Sequence, residues 1–514
     1  MNTKKLIHYA IILACPILTY IFPAPEGLPI LGWHLFGVYV GTILAIMFKP
    51  FPLPIVLLAG VALASIVVGT TPSEKWINTA ALSELLHWNL IEHTSLEQWF
   101  KTAQSKLVKI ALKENDVLNG YKSGTTWLVF AAFAMSTAFV TTGLGKRIAY
   151  LMIRAFGGTT LRLGYVNACL DLLLSPAMPS TTARAGGIMF PIMNSVTVSL
   201  GSDPEKSPRK AGHYLLLNTY MIVKTTGYMF LTAMAPNAVA LELMKPITGI
   251  TFNWPQWFLA ASVPGLLCLL LTPLVVYVLY PPELKKVDNA AIAKKGLEEI
   301  GPISKQEKTL LGLFVVAVLA WIFSDQLHVS SSTIAISVMA LLVILAVINW
   351  EDLLKNKGAW NTFIWYGGIL GLSSVLDKAH FFTWLSETLK QVMNFGEGHA
   401  TVATIAILAV SVGVRYLFAS GGAYVAAMVP VFSAVGMAAG ASPTLLALGL
   451  LFSNSYGGAL THYGSGPAPV IFGAGYHDTK SWWIVGAVVG FGSLLIHVTV
   501  GFAWWQALSG MGVF

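Results

Sequence analysis

Two long apolar stretches of this chain are cut by residues that hydrocarbon cannot accommodate. The first cut is Ser175-Pro-Ala-Met-Pro-Ser-Thr-Thr-Ala-Arg-Ala-Gly-Gly187 and the second is Phe418-Ala-Ser-Gly-Gly-Ala-Tyr424. Proline, glycine, hydroxyl groups and one arginine stand where a membrane helix would run on unbroken. Lipid offers no hydrogen-bond partner to a loosened backbone, so such breaks persist only when buried in protein or facing a watery cavity. Interrupted segments at matching places in two halves of a chain point to the binding site of a secondary transporter.

The rest of the chain supplies the membrane around them. Of 514 residues, 55% are hydrophobic and 11% charged, and the mean hydropathy is +0.70. Soluble proteins carry about 25% charged residues. Apolar runs near the length of about 20 residues that spans a bilayer fall at 6–22, 32–48, 51–69, 125–143, 212–245, 256–280, 309–324, 331–349, 360–376, 443–475 and 482–508. The expectation is an all-α polytopic protein with about 11 transmembrane helices and two re-entrant hairpins, near 161–200 and 400–440. The net charge of +8 does not mark a nucleic-acid binder, because the basic residues sit in short loops between apolar runs. Cys15, Cys169 and Cys268 all lie in apolar segments, which argues against a disulfide framework or a thiolate metal site.

Basic residues set the expected topology through the positive-inside rule. Lys4 and Lys5 place the N-terminus in the cytoplasm. No small-residue cleavage site follows, and Phe22-Pro-Ala-Pro-Glu26 reads as a helix end, so the first run is expected to stay as a span. Lys146, Arg147, Arg154 and Arg162 precede the first interrupted region, and Lys206, Arg209 and Lys210 follow it. Both clusters lie inside only if 161–200 enters the membrane and returns. The lysine-rich linker 281–308 then also lies inside, and the C-terminus is extracytoplasmic. With no Ser/Arg-rich transit segment ahead, a bacterial inner membrane is expected. The polar segment 72–122, with six lysines and six acids, reads as an extracytoplasmic helical cap.

The halves echo one another. Trp127-Leu-Val-Phe-Ala-Ala corresponds to Phe363-Ile-Trp-Tyr-Gly-Gly, Ser180-Thr-Thr to Ser420-Gly-Gly, and Ala235-Pro-Asn237 to Gly466-Pro-Ala468, at separations of 236, 240 and 231 residues. The expected organisation is a first helix (1–30), one repeat (31–280, carrying the insertion 72–122 and the hairpin 161–200), a cytoplasmic linker (281–308) and a second, inverted repeat (309–514, with the hairpin 400–440). An odd number of crossings per repeat forces the inversion, the architecture of alternating-access transporters.

Four breaks are expected to meet: the two hairpin tips, Thr232-Ala-Met-Ala-Pro-Asn237 and Thr461-His-Tyr-Gly-Ser-Gly-Pro467. Each exposes a half-helix N-terminus whose free N–H groups favour anions, while carbonyls at unwound turns suit a cation. A single break of this kind is equally well a structural kink; four in symmetric positions argue for a site. Arg184 is an intramembrane charge, which costs about 2.5–3.5 kcal/mol on insertion scales and is a functional hypothesis by default. Asp171 has two candidate partners, Arg184 and Lys224, and a structural pair is the favoured reading for Asp171 and Lys224. His462 sits in the second crossing break beside Thr461 and Tyr463. The histidines show no metal-ligand spacing, and no enzyme motif is present.

The stretches Ser123-Gly-Thr-Thr-Trp-Leu-Val-Phe130, Gly143-Leu-Gly-Lys-Arg-Ile-Ala-Tyr150, Met178–Pro191, Thr232–Asn237 and Gly458-Ala-Leu-Thr-His-Tyr-Gly-Ser-Gly-Pro467 resemble the divalent anion/sodium symporter family. The resemblance is closest to the branch with citrate/succinate and tartrate/succinate exchangers and plastid 2-oxoglutarate/malate translocators. It implies a homodimeric elevator-type carrier of di- and tricarboxylates such as succinate, malate, citrate and 2-oxoglutarate, not an enzyme. The family's Ser-Asn-Thr motifs correspond here to Ser180-Thr181-Thr182 and Ser420-Gly421-Gly422. These residues are expected to hold the carboxylates, with Asn237, Thr461, His462, Ser465 and Pro467 at the adjacent breaks. In the exchanger branch a basic residue four places after the motif serine resembles a replacement for sodium. Arg184 fits that place, whereas Tyr424 takes it in the second half. No cofactor is expected; a sodium ion near Ser420 and Gly466 is the one candidate, and exchange and sodium-coupled symport both stay open.

Overall fold

A computed structural model of the chain describes residues 3–71, 75–77, 107–109, 112–392 and 400–514. It is helical throughout, apart from a three-residue antiparallel ladder joining Lys75–Ile77 to Leu107–Lys109. That ladder stands where the helical cap was expected. Trp-Ile and Leu-Val are β-forming pairs, a local preference that the amphipathic reading of 72–122 overlooked. The end of that expected cap is helical, Glu114–Leu118 and Asn119–Lys122, and its residues 72–74, 78–106 and 110–111 lie outside the described residues.

The apolar runs become helices at close to the expected bounds: Thr3–Ile21, Ile30–Phe48, Leu53–Thr70, Gly124–Thr142, Trp254–Leu279, Lys305–Ile322, Ser331–Ile344 and Lys357–Lys378. Seven described helices are long and apolar enough to cross a membrane, among them both arms of the second hairpin, Ala400–Leu417 and Gly421–Ala438. Two expected crossings are each split. One is Gly212–Thr226 followed by Ala235–Thr248; the other is Pro443–Tyr456 followed by the short Pro467–Phe472 helix.

The chain forms two compact units. One comprises 1–123 and 364–392, the other 124–363 and 393–514. The first unit rests on close backbone approach. A Cβ on Gly37 would strike the Thr19 side chain, and one on Gly41 would lie 2.9 Å from the Ile12 carbonyl. Gly37 and Gly41 form a small-xxx-small face, the device by which membrane helices approach without a hydrophobic driving force between them.

The second unit holds both hairpins and both split crossings. The first hairpin runs from Thr160–Leu174 through a tight turn at Ser175–Ala177 into a π-helical stretch, Thr182–Met189, continued by Phe190–Ser199. π-Helical turns are rare and frequently mark functional sites. The contacts between elements are crossed. Ala235–Thr248, beyond the first split, packs against Gly421–Ala438 of the second hairpin, and Pro467–Phe472, beyond the second split, packs against Thr182–Met189 of the first.

The expected linker is built into this unit. Its helix Asn289–Ile300 lies along Leu144–Phe156. Arg147 clamps the end of the linker: Nε and Nη2 donate to the Glu307 carboxylate at 2.7 and 3.1 Å, and Nη1 and Nη2 donate to the Gly301 and Pro302 carbonyls at 2.9 and 3.2 Å. Glu307 is buried, so removing Arg147 strands a carboxylate. Arg147→Ala is expected to lower stability by about 3 kcal/mol, read from unfolding of the purified protein. The double variant Arg147→Ala/Glu307→Gln should lose less than Arg147→Ala alone.

Candidate functional site

A helix that breaks among apolar neighbours frees carbonyls that must find donors, and the side chains at the first split do this in turn. Asn237 Nδ2 donates to the carbonyls of Gly227 (2.8 Å) and Phe230 (3.0 Å). Trp257 Nε1 donates to the Tyr228 carbonyl at 2.8 Å. Arg184 Nη1 takes the Ala233 carbonyl at 2.8 Å and the Met178 carbonyl of its own hairpin at 2.7 Å. Thr232 Oγ1 donates to Pro176 O at 2.7 Å, and the Ala235 N–H to Pro179 O at 3.0 Å. The first hairpin tip is thereby sewn to the first split.

Arg184 is fully buried. Its Nε meets Asp171 Oδ1 at 2.5 Å, and the second Asp171 oxygen accepts from Thr226 Oγ1, which also lies 3.4 Å from Arg184 Nη2. Its charge is therefore balanced within the protein and its donors point at backbone. Desolvation drives a buried guanidinium to the nearest carboxylate, and Asp171 lies on the facing arm. Asp171 and Arg184 do form the pair that was one of the sequence-based alternatives.

The two motif serines cap their helices in parallel ways. Ser180 Oγ accepts from the Ala183 N–H at 3.1 Å and Ser420 Oγ from the Ala423 N–H at 3.4 Å. Each hydroxyl keeps its own proton to donate elsewhere. The tips also reach across. A Cβ on Gly466 would fall on the Thr182 hydroxyl, and one on Gly421 would sit 3.6 Å from Pro236. Each hairpin tip therefore rests on the split crossing of the other half.

The second tip carries a residue that the sequence reading passed over. Arg415, at the end of the incoming arm, is buried and donates only to carbonyls: Nη2 to Gly464 at 3.0 Å, Nη1 to Phe418 at 3.2 Å and Nε to Asn454 at 3.3 Å. Its guanidinium lies 5.1 Å from the centre of the Tyr424 ring. The place left without a basic residue by Tyr424 thus receives one from elsewhere in the same hairpin. The signal was present, since an arginine within an apolar segment invites the argument applied to Arg184. Lys224 is likewise buried, with Nζ 5.2 Å from the centre of the Tyr220 ring and no ion pair. Among the described residues, the buried basic side chains here, Arg184, Arg415 and Lys224, have one buried carboxylate near them, Asp171.

A cavity of about 680 Å³ opens beside the first tip. Ser180, Thr182 and Ala183 form one wall; Ser136, Thr137 and Thr141 of Gly124–Thr142 form another; Asn356, Asn361 and Thr362 complete it, with Asp352 and Lys355 also in the lining. Asn356 Nδ2 donates to Thr137 Oγ1 at 2.7 Å and ties two of these walls together. Such a lining brings hydroxyl and amide donors for an anion to the start of a helical stretch, with one lysine and one aspartate beside them.

Of the expected site residues, Ser180 and Thr182 line this cavity, Thr181 stands between them, and Gly466 touches Thr182. Ser420, Gly421, Gly422 and Tyr424 gather at the second tip and do not line it. Asn237, Thr461, Ser465 and Pro467 are buried within the splits; Ser465 Oγ lies 3.1 Å from Tyr220 Oη, which donates to Gly458 O at 2.6 Å. His462 is placed apart: its Nδ1 accepts from Trp483 at 3.1 Å, and its ring packs on Phe472 and Tyr463. Asn356, Asn361, Thr362 and the Ser136–Thr137 pair were missed, because isolated polar residues in helices carry no sign of which face turns inward. No cluster of metal-ligating residues occurs among the described residues.

The description "sodium:sulfate symporter transmembrane region" matches residues 3–511. The chain belongs to that family. It is the divalent anion/sodium symporter family expected from the motifs, and its members are membrane transporters. The chain is 57% identical over 512 residues to an uncharacterized transporter of Haemophilus influenzae, covering 100% of both. It is 36% identical to a putative malate transporter of Bacillus subtilis (99% of this chain, 97% of the other) and 32% identical to an L-tartrate/succinate antiporter of Escherichia coli (97% of each). Among solved structures, the YdaH transporter of Alcanivorax borkumensis shares the fold, with a TM-score of 0.52 at 13% identity over 77% of this chain and 88% of the other.

The pairing of Arg184 with Asp171 makes a prediction that separates structure from substrate binding. Asp171→Asn and Arg184→Ala should each destabilise the purified protein by about 3–5 kcal/mol, and Asp171→Leu/Arg184→Met should recover most of that loss. An Arg184→Ala protein of undiminished stability that fails to bind dicarboxylate would restore the counter-charge role.

Proposed function

We propose that this chain is a secondary carrier of dicarboxylates that exchanges one dianion for another across a bacterial inner membrane. The observation that carries the reading is the cavity with hydroxyl groups in its lining at the Ser180–Thr182 tip, backed by two buried guanidinium groups, Arg184 and Arg415, against one buried carboxylate near them, Asp171. Hydroxyl and amide donors in the lining bind the carboxylate oxygens. A dicarboxylate in the cavity offsets the positive charge behind them. The malate and L-tartrate/succinate specificities of the two named relatives belong to the same chemical class.

Exchange follows from the same charges. An empty carrier must move its surplus through a low-dielectric barrier, where a central charge costs about 2.5–3.5 kcal/mol on insertion scales. Every 1.4 kcal/mol is about tenfold in an equilibrium or rate, so even half of one such penalty suppresses the empty return strongly. A bound dianion removes it, and only the loaded carrier cycles. Ser180 and Thr182 hold the substrate, Thr137, Asn361 and Thr362 close the opposite side, and Arg184 fixes the tip. On this reading the carrier works as a homodimer with elevator-type alternating access, as the family resemblance implies.

Sodium-coupled symport, which the family description names, is the rival. Proteoliposomes loaded with unlabelled succinate or malate are expected to take up labelled dicarboxylate without sodium, and empty ones are not. Sodium-driven uptake into empty vesicles would replace exchange by symport. Within either mechanism Ser180→Ala and Thr182→Ala should each weaken dicarboxylate binding by roughly tenfold, since a hydrogen bond to a charged acceptor contributes about 1.5–3 kcal/mol. Unchanged affinity in both variants would move the substrate away from this cavity.

A further inference from the structure

Away from the carboxylate cavity, a second hollow lies between helices Leu144–Phe156 and Thr160–Leu174, which pack against one another across the turn 157–159. It is a groove of about 560 Å³. Met152, Ala155 and Phe156 form one wall, and Tyr165, Val166 and Cys169 form the other, with Arg162 at one end. Arg162 and Cys169 stand seven residues apart on one helix, so the groove runs for about 10 Å from a guanidinium to an apolar end. The one hydroxyl in its lining, that of Tyr165, donates to the Leu270 carbonyl at 3.0 Å. Phe156 is 64% exposed and Leu270 60%, so the apolar surface continues beyond the groove.

The end at Arg162 is strongly basic. The turn 157–159 is tied to the linker: the Thr160 N–H donates to Lys285 O at 3.1 Å, the Val287 N–H donates to Gly158 O at 3.2 Å, and Thr159 bridges Lys286 in antiparallel fashion. Lys285 and Lys286, distant in sequence, are thereby held beside the turn that Arg154 precedes and Arg162 follows. All four side chains are exposed, and among the described residues none forms an ion pair. The acids on the same stretch are Glu283 and Asp288, and Asp288 is engaged in capping Asn289–Ile300, accepting from the Ala291 N–H at 3.1 Å. Arg147, on the same helix as Arg154, makes the contrast, since it is paired with Glu307. Unpaired cations at the end of an apolar groove suit an anion that carries its own hydrocarbon. Basic pockets between transmembrane helices bind the head groups of anionic lipids in this way.

We propose that this groove is a binding site for an anionic glycerophospholipid: the phosphate lies among Arg154, Arg162, Lys285 and Lys286, and one acyl chain fills the groove along Tyr165, Val166 and Cys169. No residue lines both this groove and the carboxylate cavity, and a dicarboxylate lacks the chain that the apolar walls accept. One wall is the incoming arm of the first hairpin, on which Asp171, two residues past Cys169, holds Arg184. A lipid seated there braces that arm. Its binding does not depend on the transport reading and is measured on the purified protein.

Wild type in a non-ionic detergent is melted with increasing phosphatidylglycerol, with phosphatidylcholine of the same acyl chains, and with glycerol 3-phosphate as the anion without a chain. Phosphatidylglycerol alone is expected to raise the melting temperature, saturably, and less so as salt is added. Arg162→Gln/Lys285→Gln/Lys286→Gln should weaken its apparent affinity by roughly fivefold for each charge removed. Ala155→Trp, at an exposed position of the groove wall, keeps every charge and fills the space for the chain; it should lose the effect as well. Equal stabilisation by phosphatidylcholine overturns the proposal, and so does a triple variant that still prefers phosphatidylglycerol as the wild type does. An Ala155→Trp protein with undiminished response shows attraction to a basic surface and no seated chain, and stabilisation by glycerol 3-phosphate at the same concentrations shows a site for free phosphate; either result removes the lipid assignment. Should the triple variant not fold, Arg162→Gln decides: a loss of roughly fivefold supports the site and an unchanged affinity overturns it.

Discussion

Backbone carbonyls that lose their helical donors away from water need others, and much of the second unit is arranged around that need. At the first split Asn237, Trp257 and Arg184 between them take the carbonyls of Gly227, Phe230, Tyr228 and Ala233. At the second, Tyr220 and Arg415 take those of Gly458, Asn454 and Gly464. Leaving such a group unpaired in an apolar surround costs several kcal/mol, so each of these donors is placed where the break requires it. The same requirement explains why Asn237, an attractive ligand by sequence, is buried with its Nδ2 occupied. Its amide is the price of breaking the helix at all.

A consequence is that the hairpins cannot be treated as separate flaps. The first tip is bonded to the first split through Thr232, Ala235 and Arg184, and its Thr182 lies on Gly466 of the second split; the second tip is bonded to the second split through Arg415, and its Gly421 lies against Pro236 of the first. Each half contributes a tip and a split, and each tip is shared. On the proposed reading a substrate bound at Thr182 touches a structure whose parts are joined across the two halves, and an inverted repeat would yield two related arrangements of the same contacts, as alternating access requires.

What the sequence disclosed follows the physics of each signal. Helix bounds were legible because apolar runs of spanning length admit few readings, and the breaks were legible because glycine, proline and hydroxyl clusters are unusual inside such runs. The matched separations of 240 and 231 residues carried through to the carbonyl pairs that the two arginines bind. The cavity wall from Ser136, Thr137, Asn361 and Thr362 was not legible, since helix rotation is set by packing and a lone hydroxyl bonds its own backbone as readily as a ligand. His462 misled for the opposite reason: polar neighbours in sequence became aromatic neighbours in space, Phe472 and Trp483. Arg415 was overlooked because attention to the position four after the motif serine stopped at Tyr424, although a guanidinium side chain is long enough to serve a place belonging to another residue.

Recognition and charge selection occupy different layers of this molecule. On the proposed reading the lining groups, Ser180, Thr182, Thr137 and Asn361, identify a carboxylate by hydrogen bonding but respond little to how many carboxylates the ligand carries. The cations lie behind, engaged with backbone and not part of the lining, where they act through the field. At an effective dielectric of about 20, two unit charges about 8 Å apart interact by about 2 kcal/mol, more than tenfold in affinity. A monoanion gathers that gain once and a dianion twice, so a layer that never touches the ligand separates the two classes. Fixing those cations on carbonyls, and one of them on Asp171, keeps the field constant while hydroxyls at the lining adapt to one dicarboxylate or another. Such a division suits an exchanger, which must accept chemically different partners of equal charge at a single site.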